Sequence, residues 1–434
     1  MSAPAVHDEF VPSGFFAWRT PLLPFDELLA WSDGLEAPTA GEDLERREAA
    51  CAADRARLVF GLRAIFHRPE VREALFLASP SLEERLDPWL RGPGDQDDPK
   101  IERALVRYLA RMAGRATPFG LCAGCSVGTV DQETRLVLAE RAMYTRHSRL
   151  DMDYLVALTD ELARQPHVRR GLSFGVNSSL YPAHDRLRYF EVRRNGKGWT
   201  HHRVAVEATD YLAATLAQAR EGVSAGSLAA RLLEEDPDAS NEEADEYIGE
   251  LIDNQVLVSE LRPTVTGPEP IHGLVTRLRE RGATPAADRL EQARRELEAL
   301  DAGGLGAEPS RSRRMAARLE ELPGEVDLSR LFQVDLVKPV IDASLGPAVL
   351  DEVRRGVLLL HHLARRPRDD RLARFREAFV CRYEGREVPL VEALDDETGV
   401  GFDTLTGEIR DASSLLDGLT FPKTAEETAT WGRR

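Results

Sequence analysis

Arg111-Met112-Ala113-Gly114-Arg115-Ala116-Thr117-Pro118-Phe119-Gly120-Leu121 is the stretch on which the reading of this chain turns. Ahead of it runs a helix-like segment, Ile101 to Met112, in which Arg103, Arg107 and Arg111 recur every fourth residue. Residues so spaced share one face of a helix, so the three guanidinium groups form a cationic stripe. Gly114 and Pro118 then stop the helix. Arg115 and Thr117 fall in the break, where side chains and backbone N–H groups can converge on a ligand. Guanidinium groups beside a hydroxyl at a helix break suit a phosphate or a carboxylate. A solvated basic helix followed by an ordinary loop would carry the same residues, so spacing alone leaves both readings open.

The chain has 434 residues and a net charge of −17. That length suggests roughly two to four domains with real cores. No apolar run is long enough to span a bilayer, so no membrane insertion is expected. Met1 to Pro12 lacks a basic segment followed by an apolar one, which excludes a secretory signal there. Four cysteines in a chain of this size point to a reducing cytoplasm rather than a disulfide scaffold. The charge is uneven. Between Lys100 and Val206 there are 18 Lys/Arg against 10 Asp/Glu, a balance of +8, so the remainder carries −25. A basic middle in an acidic chain fits one phosphate-facing surface on an otherwise soluble protein.

Helix formers dominate and shorter β-rich stretches intervene, so the fold class expected is α+β with several subdomains. Phe16 and Trp18 alternate with Ala17 and Arg19, a short strand stopped by Pro21 with Arg19 facing away from Trp18. Helices follow at Phe25–Ser32, Glu42–Ile65, Pro69–Ser79 and Ser81–Leu90, the last opened by a Ser81/Glu84 capping box. Residues 91–99 form a loop. After Leu121 come strands at Cys122–Val130, Arg135–Leu138 and Ala142–Arg146, then a helix from Arg149 to Gln165 with Asp151 and Asp153 at its positive end.

Residues 173–261 read as an inserted winged-helix-like module. Three strands (Ser178–Tyr181, Leu187–Arg193, His201–Val206), with a turn at Asn195–Gly198, precede three helices and a closing strand, Val256–Leu261. The second helix, Ser224–Glu235, carries Arg231 as its one cation, so a bound peptide fits better than a nucleic-acid groove. A connector follows, with helices at Ile271–Arg281 and Ala286–Leu300 and a loop at 302–314. Leu331–Val337 reads as a buried strand in which Asp335 is an unusual charge, either paired or chemical. Helices at Ala348–Ala364 and Asp369–Glu384 come next, the latter with a Phe375/Phe379/Tyr383 stripe. The domains expected are therefore 1–172, 173–261, 262–402 and a weakly structured tail, 403–434.

Familiar enzyme signatures are absent: no dinucleotide or Walker loop, no nucleophile elbow, no His-Glu-x-x-His. Cys122 and Cys125 form a lone Cys-x-x-Cys without partners for a zinc site, and the adjacent pairs His201/His202 and His361/His362 each point to two faces. No metal and no resident cofactor are expected.

The run Arg115 to Leu121, with Ala123, Gly124 and Gly128 after it, resembles the N-terminal part of lantibiotic dehydratases of the LanB type. Further blocks agree in order: Phe16-Ala-Trp-Arg-Thr-Pro21, Arg146-His-Ser-Arg-Leu-Asp-Met-Asp-Tyr154, Asn177-Ser-Ser-Leu-Tyr181, Phe332-Gln-Val-Asp335 and the stretch from Arg382 to Asp395. The resemblance covers roughly residues 10–402. It implies the first step of dehydration, in which glutamate moves from glutamyl-tRNA, the co-substrate, to a Ser or Thr hydroxyl of a ribosomally made precursor peptide. By position it puts Arg19, Arg111, Arg115, Thr117, Asp151, Asp335 and Arg382 in or near the glutamylation site. The arginines, with Arg103 and Arg107 of the stripe, would hold tRNA or glutamate. Thr117 would orient the ester, and a carboxylate such as Asp335 would take the hydroxyl proton. The 173–261 module then resembles a PqqD-like element that binds the leader as an added strand, with Tyr189 and Val192 as candidates. Such enzymes are far longer than 434 residues, so a truncated or split form is expected, completed by a second polypeptide; a homodimer is also open. The alternative function is a catalytically silent leader-binding scaffold.

Overall fold

The computed structural model describes residues 11–36, 43–91, 98–195, 198–364 and 371–402. The expected tail, the middle of the 91–99 loop and the centre of the 195–198 turn lie outside the described residues. Twelve strands are described: β1 (Phe15–Pro21), β2 (Ala123–Val130), β3 (Arg135–Leu138), β4 (Thr145–Leu150), β5 (Ser173–Val176), β6 (Tyr181–Ala183), β7 (Arg186–Asn195), β8 (Gly198–Glu207), β9 (Val223–Ser224), β10 (Leu257–Ser259), β11 (Phe332–Val337) and β12 (Val340–Leu345). With the helices around them they make an α+β protein of two compact units. Among the described residues, one gathers those up to 175 with 217–253 and 257–363; the other gathers 176–216, 254–256 and those from 364 to 402.

The first unit is built on a six-stranded sheet ordered β3-β12-β2-β11-β4, with β1 paired to β2. β1 runs antiparallel along the whole of β2, from Phe15 opposite Thr129 to Pro21 opposite Ala123. The other edge of β2 is shared. β11 joins it in parallel near Gly124 and Cys125, and β12 near Thr129 and Val130. A Cβ on Gly128 would stand 2.4 Å from the Phe16 ring and 2.6 Å from the Ala343 carbonyl oxygen. Glycine is required there because strands approach on both sides.

The helix Pro99–Gly114 packs on this sheet. Pro99 starts it and the Asp98 side chain caps it, accepting from the Lys100 N–H at 2.8 Å. Its buried face is Ile101, Leu105, Leu109, Met112 and Ala113. These residues join Leu62, Phe66, Leu75, Trp89, Leu121, Val334 and Leu336 in one core. Burial of each such leucine stabilises the fold by about 1.5–3 kcal/mol. The arginine stripe is thereby forced onto the opposite, outer face.

Four expectations are corrected. Arg149 is in β4, not in a helix: Asp151 caps the helix Met152–Arg164 by accepting from Asp153 N–H at 2.9 Å, so the backbone stays extended up to Leu150. The residues 142–146 are a short turn followed by the start of β4. Ser81 is no cap, because Pro80 already occupies the first turn and Ser79 precedes it without a side-chain cap bond. The 302–314 loop gives way at Pro309 to a helix, Pro309–Leu319, which buries Met315, Ala316 and Leu319.

The stretch 173–261 contributes to both units. β5, with β9 and β10, makes one three-stranded sheet and β6-β7-β8 another. The second unit is organised around a buried carboxylate. Asp395 accepts from the Tyr181 hydroxyl at 2.5 Å, from Arg188 at 2.9 Å, and from the backbone N–H of Glu397 and Thr398 at 2.9 and 2.8 Å. Burial alone would raise its pKa, but these donors hold it well below the usual carboxylate range. Phe375, Phe379 and Tyr383 stack along Arg371–Tyr383, with ring centroids 6.1 and 5.0 Å apart.

Candidate functional site

The helix Pro99–Gly114 ends where Gly114 gives way to Arg115, whose backbone is extended. The following loop is pinned at three points. Cys122 N–H donates to Phe119 O at 3.1 Å, Leu22 N–H to Cys122 O at 2.9 Å, and Leu23 N–H to Met112 O at 2.8 Å. Gly120 supplies a φ of +51, a left-handed turn that most side chains disfavour. The loop leaves Thr117, Pro118 and Phe119 exposed.

A cavity of about 590 Å³ opens on the outer face of the helix, lined by Arg107, Arg111, Arg115, Tyr108 and Phe119. Among the described residues none of these three arginines makes an ion pair. Other arginines of the same unit do, among them Arg141, Arg146, Arg149, Arg164 and Arg169. Arg111 lies over the Phe119 ring at 4.3 Å, and its Nε is buried without a hydrogen-bond partner. Three guanidinium groups gathered without a carboxylate repel one another unless an anion joins them. Arg103 is on the same helix, but its Nε turns back to Pro99 O at 3.1 Å and it does not line the cavity.

A second cavity, of about 460 Å³, adjoins the other side of the loop; Pro118, Phe119, Gly120, Asp151, Arg330 and Asp335 are among its walls. Phe119 lines both. Asp151 enters this cavity as the helix cap. Asp335 enters it from β11, where the buried-strand expectation is corrected: Val334 and Leu336 point into the core and Asp335 outward. Its carboxylate pairs with Arg149 at 2.8 Å, the contact that moving Arg149 into β4 creates. Arg330 reaches Asp153. Behind β4, buried Arg146 pairs with buried Glu73, whose other oxygen accepts from Gly306 N–H at 2.7 Å. That buried tie fixes the strand carrying Arg149.

Arg19 is exposed on β1 opposite Cys125, which faces Val337 of β11. Paired residues share a sheet face, so Arg19, Arg149 and Asp335 lie on one open face of the sheet. Thr117 is exposed in the loop. Burial pushes the Cys122 thiol up to about 11, against the pull of the Arg111 charge.

The remaining candidates are in the second unit. Arg382 donates to the backbone carbonyls of Gly399 and Thr398 at 2.6 and 2.7 Å, a tie within that unit. Tyr189 is buried, with its hydroxyl donating to Asn254 O at 2.6 Å, so its side chain is core and not a peptide contact, which corrects that expectation. The Val192 backbone is matched at both N–H and C=O by the Gln255 side chain, at 3.0 and 2.8 Å. Phe119 and Arg330 at these cavities, and Arg149 beside Asp335, stand beyond the residues that the sequence singles out; Phe119 lies inside the opening stretch, and a helix placed over Arg149 hides its contact with Asp335.

These features define a class: an α+β domain with a cavity lined by arginines that lack ion pairs among the described residues, beside a cavity walled in part by two carboxylates. The chain belongs to the lantibiotic dehydratase family, whose description "Lantibiotic dehydratase, N terminus" matches residues 67–433. It is 25% identical over 337 residues to the subtilin biosynthesis protein SpaB of Bacillus subtilis, covering 76% of this chain and 32% of that protein. The chain thus spans about a third of that relative. Its fold is that of the tRNA-dependent lantibiotic dehydratase MibB from Microbispora sp. 107891, with a TM-score of 0.64 and 24% identity over 89% of this chain and 35% of that one. The glutamylation domain TbtB from thiomuracin biosynthesis gives a TM-score of 0.59 at 19% identity, over 91% of this chain and 59% of that one. TbtB has also been solved bound to 5′-phosphodesmethylglutamycin.

Proposed function

We propose that this chain forms the N-terminal part of a glutamylation domain that moves glutamate from glutamyl-tRNA to Ser or Thr of a precursor peptide, the first step of dehydration. The observation that carries the reading is the cavity of Arg107, Arg111 and Arg115, three cations left without ion pairs among the described residues. It suits the phosphates at the 3′ end of a tRNA. The aminoacyl ester then extends past Phe119 toward Asp151 and Asp335. There the peptide hydroxyl attacks the ester carbonyl carbon and gives its proton to Asp335. The terminal ribose oxygen leaves, taking that proton from Asp335, which returns to the carboxylate. The products are a glutamyl peptide ester and uncharged tRNA. Because the ester is already activated, positioning and charge neutralisation supply the rate. Thr117 orients the ester, and Arg19 and Arg149 extend the positive surface along the sheet face.

The leader peptide adds a strand to β6-β7-β8, whose outer edge is β8. This assigns the 173–261 stretch a recognition role through strand backbone rather than through Tyr189. A further polypeptide segment completes the domain. The precursor peptide is incubated with glutamyl-tRNA and read by mass spectrometry. An added glutamyl mass that depends on charged tRNA and is lost in Arg115→Ala supports the transfer. Leader binding without any mass gain supports the silent scaffold instead.

A further inference from the structure

We infer that Phe119 is the stacking platform for the terminal base of the acceptor strand, a positioning residue for the tRNA end; this rests on the transfer reading above. A phenylalanine 43% exposed on a pinned loop is not there for core packing. Its backbone is fixed by Cys122 N–H at 3.1 Å and by the turn at Gly120. One part of the ring is covered by the Arg111 guanidinium at 4.3 Å, which holds its orientation. The remaining surface is shared between the arginine cavity and the cavity of Asp151, Asp335 and Arg330. A nucleotide has the same order of chemistry: phosphate, then base and ribose, then the ester at the sugar. With the phosphate on Arg107 and Arg115, the base meets an aromatic face and the ribose ester is directed to the carboxylates. Arginine beneath a ring that carries a base on its other surface is a favourable stack, since aromatic faces accept both cations and bases.

The test reads binding separately from transfer. Phe119→Trp places a reporter at the site, and its emission is followed, relative to the unmodified chain, on titration with an acceptor-stem RNA ending in its full 3′ terminus. The same RNA lacking only the terminal nucleotide is the control. We expect saturable quenching with the first and none with the second. Phe119→Ala weakens binding of the full RNA by roughly ten- to a hundredfold and leaves the truncated RNA unaffected, while Phe119→Tyr restores it. In transfer, Phe119→Ala raises KM for glutamyl-tRNA and leaves kcat close to its original value. Thermal melting of each variant within a few degrees of the original excludes a folding effect. Equal quenching by both RNAs, or unchanged affinity in Phe119→Ala, overturns the platform. If the unmodified chain binds the full RNA and glutamylates peptide while Phe119→Ala behaves identically, only the platform fails. If the unmodified chain binds neither RNA, the tRNA reading fails with it.

Discussion

Arg115 and Arg111 differ from other arginines of their unit in what surrounds the guanidinium. Arg146 and Arg149 meet carboxylates; Arg111 meets a ring and an open cavity. Arg115→Ala is therefore expected to leave the melting temperature within a few degrees while lowering RNA affinity about tenfold or more. The slope of log affinity against log salt falls by about 1, as expected for one lost phosphate contact. Filter binding at several salt concentrations measures both; an unchanged slope overturns the phosphate assignment. Lys338 is a different case. It is buried, with Nζ donating to Pro21 O at 2.7 Å and standing 4.8 Å over Tyr144. Desolvation, aided by the Arg141 charge, lowers its pKa to about 8. A lysine with a folded pKa below its unfolded value of about 10.4 destabilises the protonated fold. Stability is thus expected to rise as pH climbs from about 8 toward 10, and Lys338→Met should flatten that rise in melting curves.

At the scale of elements, two helices make opposite predictions. In Pro99–Gly114 the buried face is continuous, and Leu105 is wholly buried. Leu105→Ala is expected to cost about 3 kcal/mol by denaturant unfolding. In Pro347–Leu363, Leu358 is the one buried residue and Leu360 is 67% exposed. Leu360→Gln should change stability by less than about 0.5 kcal/mol. The link centred on Asp395 is the keystone of the second unit. Its folded pKa is depressed, so its contribution is present above the unfolded value of about 3.9 and is lost as pH falls below it. Asp395→Asn removes the charge that Arg188 and Tyr181 share and turns one acceptor oxygen into a donor, and should cost about 3 kcal/mol near pH 7. The difference from the original chain should shrink in melts taken toward pH 3.

For the whole molecule, most of the longer helices and the amphipathic stripe of Pro99–Gly114 were legible because they depend on local periodicity. So was the shared face of the arginines that lead into Arg111 to Leu121, since arginines spaced by one helical turn must share a face whatever the rest of the chain does. The pairing of distant strands was not legible. β11 lies some 200 residues along the chain from β2 and β4, yet brings Asp335 to Arg149. Nor could the sequence say that 173–261 divides between two sheets, because strand partners are chosen by long-range hydrogen bonding and burial, not by adjacency. Asp335 inside an apolar run looked buried; the sheet's alternation turned it outward. By itself the sequence determined where cations cluster, where most of the helices lie and which family the chain resembles. Only the tertiary structure decided which of those cations remain unpaired, because pairing depends on what the folded chain brings within a few ångströms of each guanidinium.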